Sequence, residues 1–199
     1  MITSLLIAAF LGYLIGSVPY GLVLTRLAGI GDIRKIGSGN IGATNVLRTG
    51  RKDLAFLTLI LDLGKAAFAA LLCRYILDSE AASLMGGFMA VIGHNYPVWL
   101  KFKGGKGVAS TLGMMLATVP AVGITAIIIW LVMAFSFKYS SLAALISLSV
   151  SPVIATLYGH PRAATCFALL ALLSIWRHRQ NIARIYRGEE SKIKFKRNH

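Results

Sequence analysis

Acidic side chains are scarce in this sequence: seven Asp and Glu stand among 199 residues, and charged residues of both signs make up only 14%. A water-soluble domain usually carries about 25% charged residues, so an ordinary soluble fold is excluded. Cysteine is scarcer still, with only Cys73 and Cys166. Two thiols make no disulfide framework and lack metal-ligand spacing, and they are expected to be unpaired and packed. The chain shows no internal repeat, and no low-complexity segment beyond a short basic tail at about 177–199. Hydrolase signatures are missing as well. There is no G-x-S-x-G elbow, no H-E-x-x-H, and no H-x-x-x-x-D pair, because Trp99 stands five residues after His94.

What is present is apolar and basic. Hydrophobic residues make up 56% of the chain, and 21 Lys and Arg bring the net charge to +14, a balance that points to an anionic partner. Residues 2–25 carry no charged side chain. At about 1.5 Å per helical residue they reach roughly 36 Å, past the roughly 30 Å hydrocarbon layer of a bilayer. The run is too long for a secretory signal and lacks its basic lead-in. Gly12, Gly16 and Gly21 within it suit close helix packing in lipid.

Further apolar segments lie at about 54–73, 81–100, 107–136, 139–158 and 163–176. The segment 107–136 is interrupted at Thr118-Val119-Pro120 and Gly123, which predicts a tight turn between two helices. The expected fold is therefore all-α: a polytopic membrane protein of seven transmembrane helices, one domain over 1–199. Threaded so, eighteen cations and four acids fall on one face, while two cations and two acids fall on the other. The positive-inside rule places the basic face in the cytoplasm, with the N-terminus out and the C-terminus in. That is the arrangement of a multi-pass protein of the cell inner membrane. Asp62 and Lys65, inside the second span at i,i+3, are expected to pair on one helix face and to be structural.

Three polar segments share the basic face in this threading. The first is Gly37-Ser38-Gly39-Asn40-Ile41-Gly42-Ala43-Thr44-Asn45, followed by Arg48. Glycines let successive N–H groups line one concavity, and Ser38, Asn40, Thr44 and Asn45 add short hydrogen-bonding side chains, so the strip can wrap a phosphate or an oxyanion. The second is Lys101-Phe102-Lys103-Gly104-Gly105-Lys106-Gly107, running straight into an apolar helix. Glycine-rich backbone, a lysine and a helix N-terminus suit an anion, although the Walker A spacing is absent. The third is Arg177-His178-Arg179-Gln180-Asn181-Ile182-Ala183-Arg184 at the end of the last span. If the helix continues, His178 and Asn181 lie one turn apart beside Ile182 and Ile185. His94 is ambiguous: a packing or capping residue is as good a reading as a ligand.

Together the segments are specific. GSGNIGATN at 37–45, GGKGVAS at 104–110 and RHRQNIARIYRGEE at 177–190 resemble, in order and spacing, the three motifs of the bacterial acyl-phosphate:glycerol-3-phosphate acyltransferases, the PlsY family. The resemblance covers essentially the whole chain. It implies transfer of a fatty acyl group from acyl phosphate to the sn-1 hydroxyl of glycerol 3-phosphate, giving lysophosphatidate and phosphate. It implies Ser38, His178 and Asn181 as catalytic residues. Asn40, Gly42, Thr44, Asn45, Arg48, Gly104, Gly105, Lys106, Gly107 and Ser141 would then bind substrate, and Glu190 would be structural beside Asp62 and Lys65. Two departures are small: Ser110 stands where Thr is usual, and Ala66 where Gly often follows the lysine.

No metal or cofactor is expected, because an acyl phosphate already carries a good leaving group. Positioning, neutralisation of two phosphates and oxyanion stabilisation suffice. The hydroxyl proton has two candidate destinations: His178, with an unperturbed pKa of about 6.5, or the substrate's own phosphate, with a second pKa near 6. The second is slightly favoured, with His178 as an orienting hydrogen-bond donor. Membrane lipid is the expected surrounding partner; nucleic acid and an obligate protein partner are not expected. The rival is a transporter of organic phosphates, which would place binding groups near the midplane and show inverted repeats.

Overall fold

The computed structural model describes residues 1–193. The last six residues of the basic tail, with Lys194, Lys196 and Arg197, lie outside the described residues. Among the described residues every regular element is helical. The chain divides into two compact units, Met1–Pro120 and Ala121–His199.

In the first unit the uncharged N-terminal run forms α1 (Ile2–Gly16) and α2 (Tyr20–Leu27). Proline has no N–H to give the ladder and restricts the residue before it, and the helix breaks across Ser17-Val18-Pro19. A loop leads to the single turn α3 (Ala43–Val46), then to the 26-residue α4 (Lys52–Leu77) and α5 (Glu80–Asn95). Ser79 opens α5 by accepting the N–H of Ala82 at 3.3 Å. The segment expected at 81–100 ends early as a helix, at Asn95, because Pro97 forbids its continuation. After the glycine-lysine loop, α6 (Val108–Thr118) closes the unit.

Small residues set the helix spacing here, as expected. A Cβ on Gly12 would strike the Gly86 backbone and one on Gly16 the Ala90 backbone, so α1 lies directly on α5. Ser83 Oγ donates to Ala70 O at 2.9 Å between α5 and α4, and Ser110 Oγ donates to Asp62 O at 2.8 Å between α6 and α4.

The second unit holds α7 (Pro120–Phe137), α8 (Ser140–Leu157), α9 (Pro161–Arg177) and the short α10 (Arg179–Tyr186). The apolar stretch 107–136 is thus two helices, broken at Val119 as expected. Pro152 inside α8 cannot donate to Leu148 O, and Ser151 Oγ supplies that carbonyl at 2.8 Å instead. Ile193 N donates to Lys138 O at 2.7 Å, bringing the tail back to the α7–α8 junction.

Among the described residues four stretches are long and apolar enough to cross a membrane: Ile2–Leu27, Lys52–Leu77, Pro120–Phe137 and Ser140–Leu157. The helices α5, α6 and α9, with 16, 11 and 17 residues, are shorter. Pro97 cuts the first and the Val119-Pro120 break the second, while His178 ends the third. Large apolar side chains such as Phe10, Phe68, Phe135 and Leu172 are each more than half exposed. That exposure suits contact with lipid tails and would be a liability in water.

Candidate active site

The first polar loop is built around one amide. Asn45 is 2% exposed, and its Nδ2 donates to Ile33 O at 3.1 Å, Ile36 O at 2.9 Å and Asn40 O at 2.8 Å. Its Oδ1 accepts from Ser38 N at 3.0 Å and from Ser38 Oγ at 3.3 Å. One side chain therefore ties both arms of the loop together. Asn40 Oδ1 accepts the N–H of Gly42 at 3.2 Å, an Asx turn that leads into α3. At Gly37, φ is +57° and a Cβ would lie 2.7 Å from Arg48 Cδ, so Arg48 folds back over the strip. Only glycine meets both demands. Ser38, Thr44 and Arg48 stand exposed at the rim, while Asn45 and Ile41 are buried beneath it.

The acids that flank this loop are already engaged. Asp32 accepts Arg34 Nε at 2.9 Å, and the Arg34 guanidinium holds its carboxyl well below the usual carboxylate range against a small opposing effect of burial. Asp53 accepts Arg51 Nε at 3.0 Å. Neither is suited to take a proton.

The second loop rests on the end of α5. Gly104 N donates to Asn95 O at 3.1 Å and Gly105 N to His94 O at 3.0 Å, satisfying carbonyls that a helix C-terminus leaves open. A Cβ on Gly105 would overlap the His94 ring. Gly104 and Gly105 thus serve close approach to α5, and the half-buried Lys106 and the buried Gly107 lead into the α6 N-terminus. Leu100, just before this loop, packs on the apolar cluster of Leu22, Ile33, Ile41, Val46 and Ala55. That cluster also underlies the first loop, so both loops share one footing.

In the second unit the carboxylate of Glu190 gathers the remaining residues. Its Oε1 accepts Ser141 Oγ at 2.7 Å and Asn181 Nδ2 at 2.6 Å, and its Oε2 accepts Arg184 Nε at 2.8 Å. Burial pushes this carboxyl up, but the donors from Asn181, Ser141 and Arg184 outweigh it and leave it below the usual value. A lowered folded value means the network contributes stability above about pH 4.3, where a free glutamate is ionised, and loses it as pH falls through the folded value. We expect the fluorescence of Trp176 to report loosening of this end only in that acid range. Glu190→Gln should be less stable at neutral pH and lack that acid transition.

His178 is buried at the α9–α10 junction. Its Nδ1 lies 2.8 Å from Ser174 O, a carbonyl that can only accept, so Nδ1 carries the proton and a neutral ring accepts at Nε2. An orienting donor role at Nε2 would require the imidazolium. The backbone ladder continues through the junction, with Ile182 N donating to His178 O at 2.9 Å. His178 and Asn181 are thus one turn apart as expected and both buried, while Ile182 beside them is exposed and Ile185 half-buried.

Two residues escaped the sequence reading. Ser174 holds His178, and its i,i+4 spacing was a usable signal. Asn95 is 1% exposed, and its amide finds no hydrogen-bond partner among the described residues. It lies beside Gly107, and nothing in its spacing marked it. Cys73 is buried and Cys166 half-buried, both as free thiols.

The apolar, lipid-suited helices place the described residues in the class of all-helical integral membrane proteins. The glycerol-3-phosphate acyltransferase family model matches residues 6–188, and the chain belongs to that family. The glycerol-3-phosphate acyltransferase of Rhodospirillum rubrum is 59% identical over 194 residues, covering 94% of this chain and 90% of that protein. The one from Paramagnetospirillum magneticum is 58% identical over 189 residues, covering 94% of each. Crystal structures of PlsY (YgiH), an integral membrane glycerol 3-phosphate acyltransferase, superpose with TM-scores of 0.89 in the glycerol 3-phosphate form and 0.87 in the lysophosphatidic acid form. Identities are 36% and 35%, with 96% of both chains covered.

Proposed function

We propose that this chain transfers a fatty acyl group from acyl phosphate directly to the sn-1 hydroxyl of glycerol 3-phosphate, the first step of phospholipid synthesis. The new ester bond forms at the substrate carbonyl as its bond to phosphate breaks, and lysophosphatidate and inorganic phosphate leave. Of the structural observations, the Asn45-clamped loop carries the reading furthest. It presents Ser38, Thr44 and Arg48 at its rim, and among the described residues the Ser38 hydroxyl meets the Asn45 amide rather than a base. Ser38 Oγ meets an amide oxygen at 3.3 Å, which cannot take its proton. Ser38 and Asn40 therefore act by holding the reacting oxyanion, Arg48 and Lys106 neutralise phosphate, and Gly107 with the α6 N-terminus adds backbone dipoles.

On the acceptor side, Ser141 and Asn181 are held by Glu190 to meet glycerol 3-phosphate, and neutral His178 takes the hydroxyl hydrogen at Nε2. The departing phosphate is the final proton acceptor. The seven-span topology with cytoplasmic loops belongs to this proposal too; its support is that this threading assigns eighteen of the 21 Lys and Arg to the loops of one side. It places the enzyme in the cell inner membrane.

The test is turnover by the purified protein in defined lipid. Palmitoyl phosphate with glycerol 3-phosphate should yield lysophosphatidate and one phosphate per product, while palmitoyl thioesters should be inert. Transport of glycerol 3-phosphate without lipid formation would overturn the reading in favour of an organic-phosphate transporter. Lys106→Ala should raise KM for acyl phosphate about tenfold or more, and Lys101→Ala, on an exposed side chain, by less than about threefold, the loss of one charge-assisted contact against none. Small and equal effects would reduce the loop to a membrane anchor.

A further inference from the structure

Lys65 is 4% exposed, and its ammonium has three donors. Three acceptors meet it: Asp62 Oδ1 at 2.8 Å, the carbonyl of Val18 at 2.9 Å and His94 Nδ1 at 2.9 Å. The cluster joins the α1–α2 break to α4 and α5. Asp62 and His94 are themselves buried, at 2% and 4% exposure. With Lys65 as an ammonium, His94 Nδ1 is its acceptor and a neutral imidazole carries its proton on Nε2, while Asp62 Oδ1 lies 3.4 Å from the same Nδ1.

Nε2 is the ring atom nearest to where Gly105 would bear a Cβ. The same histidine accepts Gly105 N through its backbone carbonyl at 3.0 Å. His94 therefore touches the glycine-lysine loop twice, and its ring cannot rotate without releasing Lys65. Asp62 extends the connection, since its carbonyl accepts Ser110 Oγ from the first turn of α6 at 2.8 Å. An ion pair needed only for helix packing has no reason to present a histidine edge to a loop.

We infer that Asp62, Lys65 and His94 form a buried positioning relay that fixes the Gly104–Gly107 backbone, and with it Lys106, in the arrangement that receives acyl phosphate. None of the three touches substrate. The inference rests on the function proposed above, and two variants separate its halves. His94→Asn places an oxygen near the position of Nδ1, keeping an acceptor for Lys65 but removing the edge that meets Gly105. His94→Gln places an amide N–H near the position of Nε2 and restores that edge.

The expected result for His94→Asn is a folded protein whose thermal midpoint stays within a few degrees of the parent. Its KM for palmitoyl phosphate rises about tenfold or more, its KM for glycerol 3-phosphate stays within twofold, and amide hydrogen exchange at 104–107 accelerates at least tenfold. His94→Gln should recover part of both changes. Equal KM values for palmitoyl phosphate in parent and His94→Asn, or a fall in thermal midpoint with no faster exchange at 104–107, would overturn the relay. Should His94→Asn fail to fold, Gly105→Ala supplies the same test from the loop side, because its Cβ must displace the ring. Parent-like KM and exchange there would also overturn the proposal. If the parent makes no lysophosphatidate at all, the functional reading fails, while the exchange measurement still decides whether the histidine edge seats the loop.

Discussion

Asn45→Asp should cost at least a hundredfold in kcat/KM, although the substitution changes one atom. In the parent, Nδ2 is the donor to the carbonyls of Ile33, Ile36 and Asn40. A carboxylate oxygen there has no hydrogen to give and faces three carbonyl dipoles by their negative ends. Leaving a buried polar group unsatisfied costs about 1–3 kcal/mol, and each 1.4 kcal/mol is about a factor of ten. Two such losses at the middle of that range, confined to the loop, come to about 4 kcal/mol and exceed a hundredfold. Because the loop is attached to the apolar cluster through Ile33, Ile41 and Val46, global unfolding should be a smaller effect than loss of activity. Measured kcat/KM within fivefold of the parent would show that the clamp is dispensable.

His178→Ala should lower kcat by about a hundredfold to a thousandfold, in the range ascribed to general acid–base catalysis, with KM for acyl phosphate changed by only a few-fold. The reasoning is the tautomer: with Nδ1 committed to the Ser174 carbonyl at 2.8 Å, Nε2 is the acceptor in the neutral ring. A variant that retains most of its kcat would exclude histidine as an essential base and leave the substrate phosphate as the proton's sole destination.

Much of the architecture could be read from residue order because its causes are local. The helix break at Val119-Pro120 and the Asp62–Lys65 pair follow from neighbours within one or two turns, and the i,i+4 spacing of Gly12 and Gly16 marks a close-packing face, although α5, which it admits, lies 74 residues on. The composition of the 37–45 loop also led to the anion site proposed there. What it could not announce was the division of labour inside that loop. Asn45 looked like a substrate ligand, yet its amide is spent on carbonyls 5, 9 and 12 residues away, a pattern with no spacing rule.

The other surprises share this cause. Ser141 and Glu190 meet across 49 residues, and Lys65 and His94 across 29, so neither contact leaves a trace in periodicity. Apolar composition runs from 107 to 136, and the break read at Thr118-Val119-Pro120 is what bounds α6 at 11 residues.

The central claim is direct transfer, with Ser38 as a donor rather than a nucleophile. Rapid-quench mixing of stoichiometric enzyme with acyl-labelled palmitoyl phosphate tests it, run with and without glycerol 3-phosphate. The account predicts no burst of phosphate and no label on the protein until the acceptor is added, after which phosphate and lysophosphatidate appear together at one rate. A burst approaching one phosphate per enzyme without acceptor, with the acyl label recovered on the peptide containing Ser38, would contradict it.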